Sequence, residues 1–197
     1  MKFDAVAEIL MAKHWNLKQL DLGNGGIFGT LSDEVGNLAY LEILILSGEW
    51  HEWNGSHWQY VKSSHRGEGN QISSLPDRMP SRLTKLIARG NPITSLRSLR
   101  LCTNLRVLDC DWTMLSSLSD LNFLTRVEQL SIDGTEVIDL EPLRGMKSLR
   151  ILSLEATGVV NLIPISGLSK LEYLNLSRTD IADFSPLNSL RNLKVVR

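Results

Sequence analysis

Cysteine is nearly missing from this 197-residue chain. Cys102 and Cys110 are the only two, too few for a disulfide framework, and both fall at apolar phases of the pattern described below, where packed free thiols belong. No run of about 18 apolar residues occurs, so no membrane-spanning helix is expected. The opening MKFDAVAEIL carries Asp4 and Glu8 where a secretory leader needs an uninterrupted apolar core. These absences predict a cytoplasmic protein with no membrane partner. Neither sign of charge dominates: 21 basic and 22 acidic side chains leave a net charge of −1. That argues against a nucleic-acid partner, whose binding rests on phosphate neutralisation.

Catalytic signatures are missing as well. Gly23, Gly25, Gly26 and Gly29 suggest a phosphate loop, but G-x-G-x-x-G would need glycine at Phe28 and no P-loop lysine follows. His51, Glu52, His57 and His65 match no metal-site spacing, and HExxH is absent. No catalytic residue, metal ligand or cofactor is therefore assigned. Aromatics make up 6% of the chain, yet Trp50, Trp53, Trp58 and Tyr60 crowd into the single stretch EWHEWNGSHWQY.

What the chain has in abundance is repetition. LEYLNLSRTDIADFSPLNSL, moved back 22 residues, lands on LRILSLEATGVVNLIPISGL, and moved back again on VEQLSIDGTEVIDLEPLRGM. A fixed period of this length predicts a solenoid, whose coils each bury an apolar edge against the next. Within a coil, Leu108 and Cys110 are two apart, as on a strand. Leu115, Leu118 and Leu121 are three apart, as in a 3-10 turn or an irregular return arm. The bend column Asn91, Thr113, Thr135, Thr157, Thr179 and the turn column Ser95, Ser117, Asp139, Asn161, Asp183 supply side chains that bond backbone groups at bends. Pro142, Pro164 and Pro186 then fix φ on the return arm. Leu190, Leu193 and Val196 continue the phase to the end of the sequence.

Two segments depart from the period. Phe3, Val6, Ala7 and Leu10 lie at helical spacing, predicting a capping helix over 1–13 with that stripe turned toward the first coil. Leu41 to its next match, Leu83, is 42 residues, while Asn70, Ile72 and Leu75 regain the phase of Asn91, Ile93 and Leu96. One account is a coil carrying an insertion at about 47–69, a Trp-rich β-hairpin turning at Asn54-Gly55 and projecting from one rim of the solenoid. The other is a degenerate extra coil starting at Val61, which would put Ser64 and Arg66 where the core wants leucine.

The pattern L-x-x-L-x-L-x-x-(N/T)-x-(I/V/L) at 22 residues resembles the leucine-rich-repeat family, and LSRTDIADFSPLNSL is similar to the bacterial, internalin-like type. Gly29-Thr30-Leu31 resembles the 24-residue plant-receptor type. The resemblance implies an α/β solenoid: a right-handed superhelix over 14–197, about seven coils plus a stub, with a parallel concave sheet and 3-10 or irregular convex arms. It also implies a non-catalytic scaffold that binds proteins, as an effector or sensor domain would. Strand alternation puts the intervening side chains on the concave face. Lys85, Arg89, Asp109, Asp111, Trp112, Asp133, Glu155, Tyr173, Asn175 and Arg178 are the expected protein contacts there, joined by Trp50, Trp53, Trp58 and Tyr60 of the hairpin. Asp111, Asp133 and Glu155 stack one strand apart, an arrangement unfavourable without a cation or water to screen it. Carbohydrate stacking on the hairpin rings, a metal-dependent enzyme built on its histidines and self-association through the C-terminal coil are the alternatives.

Overall fold

The structure, a computed structural model, describes residues 4–65 and 69–197. Twelve strands follow an N-terminal helix α1 (Ala5–His14): β1 (Gln19–Asp21), β2 (Phe28–Thr30), β3 (Ile43–Ile45), β4 (Glu49–Trp53), β5 (Trp58–Lys62), β6 (Gln71–Ser74), β7 (Lys85–Ile87), β8 (Val107–Asp109), β9 (Gln129–Ser131), β10 (Ile151–Ser153), β11 (Tyr173–Asn175) and β12 (Lys194–Val196). Eight of them form one parallel sheet in the order β1-β3-β7-β8-β9-β10-β11-β12. Each crossover is a full coil, so Leu20, Leu44, Leu86, Leu108, Leu130, Leu152 and Leu174 pair in one row. All seven are buried in a single core that runs the length of the stack.

The repeated polar columns explain how each coil turns. Thr113, Thr135, Thr157 and Thr179 donate their hydroxyls to the carbonyls three residues back at 2.6–2.8 Å. Asn91 does the same with its amide at 3.1 Å, so the side chain satisfies the carbonyl that the bend leaves unpaired. Asp139, Asn161 and Asp183 accept from the amides two residues on. These open 3-10 arms at Glu141–Leu143, Ile163–Ile165 and Ser185–Leu187, with Pro142, Pro164 and Pro186 inside the first turn, where the lost N–H is an orphan anyway. Toward the N-terminus, where coils are longer, β2 and β6 also pair, and the first coil follows β2 with its own 3-10 arm at Asp33–Asn37.

The segment after β3 is a hairpin, with β4 and β5 antiparallel. Asn70 Nδ2 then bonds the carbonyls of Leu22 and Leu46, so the coil resumes at the bend it left and the extra-coil reading is set aside. Arg66, on which part of that reading turned, lies outside the described residues. The turn differs by one residue from the expected Asn54-Gly55 centre. Asn54 N–H bonds the His57 carbonyl, leaving Gly55 and Ser56 central, with Gly55 at φ 97°, in the position type II′ turns give to glycine. Asn54 is used outside the turn centre, its side chain accepting from the Ser56 and His57 amides.

Three expectations need correction. The hairpin does not project: Trp50 is 4% exposed and packs with Ile45, Ile87 and the partly buried Ile43, Val61 and Val107. Burying an indole on these aliphatic side chains is worth more than leaving it in water, so the ribbon folds into the concave bowl. The capping helix turns a different face inward: Ala5, Ile9 and Ala12 meet the core while Val6 and Leu10 stay exposed, and Phe3 lies outside the described residues. The Asp4 side chain caps the helix's own first amides, and a Lys13–Glu34 ion pair of 3.0 Å ties the helix to the first coil. Finally, Val195 rather than Val196 stands opposite Leu174; the coil before β12 is one residue shorter than the 22-residue coils that precede it.

Candidate functional site

Alternation along the hairpin gives it two working faces. Trp50 and Glu52 look toward β3, β7 and β8; Trp50 Nε1 donates to Glu52 at 2.8 Å and Glu52 pairs with Lys85. The opposite face carries His51, Trp53 and Trp58. Trp53 and Trp58 meet edge to face, ring centroids 5.5 Å apart, and both contact Tyr173 of β11, at 5.2 and 5.9 Å. The ribbon therefore stands as a partition across the concave face. It covers the N-terminal strands and forms one wall of a cleft over the C-terminal ones.

That cleft has a volume of about 340 Å³. His51 and Trp58 come from the hairpin, Ser131, Ser153, Tyr173 and Asn175 from the strands, and Arg89, Asp111, Trp112, Asp133 and Glu155 from the chain just beyond the strands. The carboxylates form a ladder. Asp111 Oδ1 accepts from the Asp133 amide at 2.8 Å, and Asp133 Oδ1 from the Glu155 amide at 2.7 Å. The Ser131 and Ser153 hydroxyls reach Asp111 and Asp133 respectively. At the upper end Arg89 pairs with Asp111 at 2.8 Å, and at the lower end Asn175 donates to Ser153 and Glu155.

Desolvation disfavours ionised carboxylates, and neighbouring like charge adds to it. Burial, helped by the Asp111 charge, pushes Asp133 up to about 7. Burial also raises Asp111, partly offset by its hydrogen bonds and Arg89, and drives buried Asp109 well above the usual carboxylate range. Trp112, 48% exposed, has φ 55°, an uncommon conformation for a bulky side chain. Its amide donates to the Asp133 carbonyl at 2.6 Å, as Gly90, Gly134 and Ala156 do to their own next coils. Its indole lies over Gly134, where a Cβ would come within 2.3 Å of the ring.

Of the residues expected from sequence, Arg89, Asp111, Trp112, Asp133, Glu155, Tyr173, Asn175 and Trp58 converge on this cleft. Asp109 is buried, Lys85 is engaged under the other hairpin face, and Trp50 is part of the core beneath it. Trp53 supports Trp58 and Tyr173. Tyr60 is exposed and bonded to Glu49, and exposed Arg178 is not part of the lining. Ser131 and Ser153 lay in the concave columns without being singled out, and His51 had been considered only as a metal ligand. Among the described residues no group of three His, Cys, Asp or Glu side chains is placed to hold a metal. No helix among them is long and apolar enough to cross a membrane.

A sheet of stacked parallel strands, polar-capped bends and 3-10 return arms defines a leucine-rich-repeat protein, and this chain has that fold. No family model and no curated protein matches it. Among solved structures it is similar to internalin C2 of Listeria monocytogenes, with 23% identity over 90% of this chain and 79% of that one, at a TM-score of 0.64. It is similar to a leucine-rich-repeat protein of Leptospira interrogans at 25% identity and TM-score 0.77, covering 95% of this chain but 44% of that one. It is also similar to a plant peptide hormone receptor, RGFR1, solved in complex with RGF2, at 22% identity and TM-score 0.67, spanning 28% of that receptor.

Proposed function

We infer that the protein is a non-catalytic recognition module that binds a protein partner at the hairpin-walled cleft on the C-terminal half of its concave face. The observation that carries this reading is the cleft itself, which brings three aromatic rings and a ladder of desolvated carboxylates into one concavity. Aromatic rings beside partly buried polar groups are what binding hot spots are made of. A structural neighbour solved with a peptide hormone supports a polypeptide as the occupant. Carbohydrate stacking draws less support, because Trp50 is buried and Trp53 and Trp58 already spend ring surface on each other and on Tyr173. Cytoplasmic placement belongs to the same proposal, supported by the two buried free thiols.

The test is capture of partners from cell extract by the full chain and by two cleft variants, Asp133→Lys and Trp112→Ala, each confirmed as folded. A partner held by the wild type and released by both variants supports the cleft. Partners bound equally by all three place recognition elsewhere. Self-association through the C-terminal coil remains a separate proposal; an unchanged mass in light scattering across a wide concentration range would dismiss it.

A further inference from the structure

We propose that the cleft is a socket for one cationic side chain of the partner, a guanidinium or ammonium group set against the Trp58 and Trp112 rings and the Asp133 and Glu155 carboxylates. This deepens the reading of the cleft as the docking site and rests on it. A space of about 340 Å³ takes a long side chain but not a folded surface. Aromatic faces attract cations through the ring quadrupole, and carboxylates accept charge-assisted hydrogen bonds from the same group.

The charges in the cleft do not balance. Asp111, Asp133 and Glu155 line it with Arg89 as the sole lysine or arginine among the described residues, and Arg89 is already bonded to Asp111. Asp133 accepts from the Glu155 amide and the Ser153 hydroxyl, and Glu155 from the Asn175 side-chain amide. Burial and the neighbouring Asp111 charge favour the protonated form of Asp133 up to about pH 7. An incoming cation takes the place of that proton, so binding releases a proton and strengthens as pH rises through about 7. The other titratable or charged groups that face the space are His51, Arg89, Asp111, Glu155 and Tyr173.

The experiment titrates the full chain with capped Gly-Arg-Gly, Gly-Lys-Gly and Gly-citrulline-Gly by calorimetry at pH 8 and 5.5. The expected result is saturable binding of a cationic peptide at pH 8, at least about tenfold tighter than the citrulline peptide and about tenfold weaker at pH 5.5. Asp133→Asn weakens it by a similar factor and flattens the pH dependence. Equal binding of the arginine and citrulline peptides, or no binding of any by a chain whose melting curve shows it folded, overturns the proposal. If a partner is still captured through the cleft in that case, the docking site stands and only its cationic specificity falls. If capture is also insensitive to the cleft variants, the docking reading fails with it.

Discussion

The two halves of the concave face are built from the same strand positions and end in opposite chemistry. On β3 and β7 the outward position at the end of the strand holds Ile45 and Ile87; on β9, β10 and β11 it holds Ser131, Ser153 and Asn175. The first pair meets the buried Trp50 face of the hairpin, and the second set lies in the cleft beside its other face. A solenoid can thus vary its concave columns freely, because the core is set by the inward leucines alone. One insertion then converts an open sheet into a closed half and a gripping half.

Substitutions can break or sharpen this contrast. The largest effect is expected from Trp50→Ala, which removes the anchor of the closed half: roughly 3–5 kcal/mol is lost from hairpin docking. Hydrogen exchange would show the amides of β4 and β5 deprotected while those of β8 to β11 keep their protection. Loss of protection throughout would mean that the insertion and the coils are one cooperative unit.

Gly134→Ala strikes the gripping half. Its φ of 64° and the Trp112 ring at 2.3 Å from the new Cβ should together reduce stability by roughly 1–3 kcal/mol in a denaturant titration and move the indole, read as a shift in tryptophan fluorescence. Asp133→Asn acts on the same half through charge. Because the folded-state value is raised to about 7, the Asp133 contribution is fully present below about pH 4 and is lost as pH rises through about 7. The wild type should therefore melt at progressively lower temperature from pH 5 to pH 8, and the asparagine variant should show a visibly smaller decline. Parallel curves would mean the ladder does not titrate there.

The smallest effect serves as the control. Arg150 and Glu172 pair at 2.8 Å on an exposed flank of the coils, where such pairs contribute about 0–1 kcal/mol. Arg150→Gln should change melting little at low salt and not at all at high salt. It should leave both halves of the face untouched.

The coils were legible in the sequence because each repeats the same local problem. An inward leucine, a threonine or asparagine at the bend and an aspartate or asparagine before the arm recur at fixed spacing, and each answers to a bond within its own or the next coil. The acidic ladder was legible for the same reason: Asp111, Asp133 and Glu155 share a phase. The helix face was misread, since Val6 and Leu10 are as apolar as Ile9, and only the surface of the first coil and the Lys13 contact choose between them. The hairpin was readable as a ribbon from Asn54-Gly55 and the tryptophans, but nothing local to those residues says which way a ribbon leans.

Periodicity by itself determined the stacked coils, the sheet and the columns of side chains that look out from it, because those depend on contacts between neighbours at a constant separation. The tertiary structure alone decided that the insertion lies within the bowl, that Trp50 closes one half and that Trp58 and His51 complete a cleft with residues up to 124 positions away. Those contacts join a segment outside the repeat to side chains that share no phase with it. They are settled by which apolar surface the indole can bury most of, a quantity that exists only once the coils have been stacked.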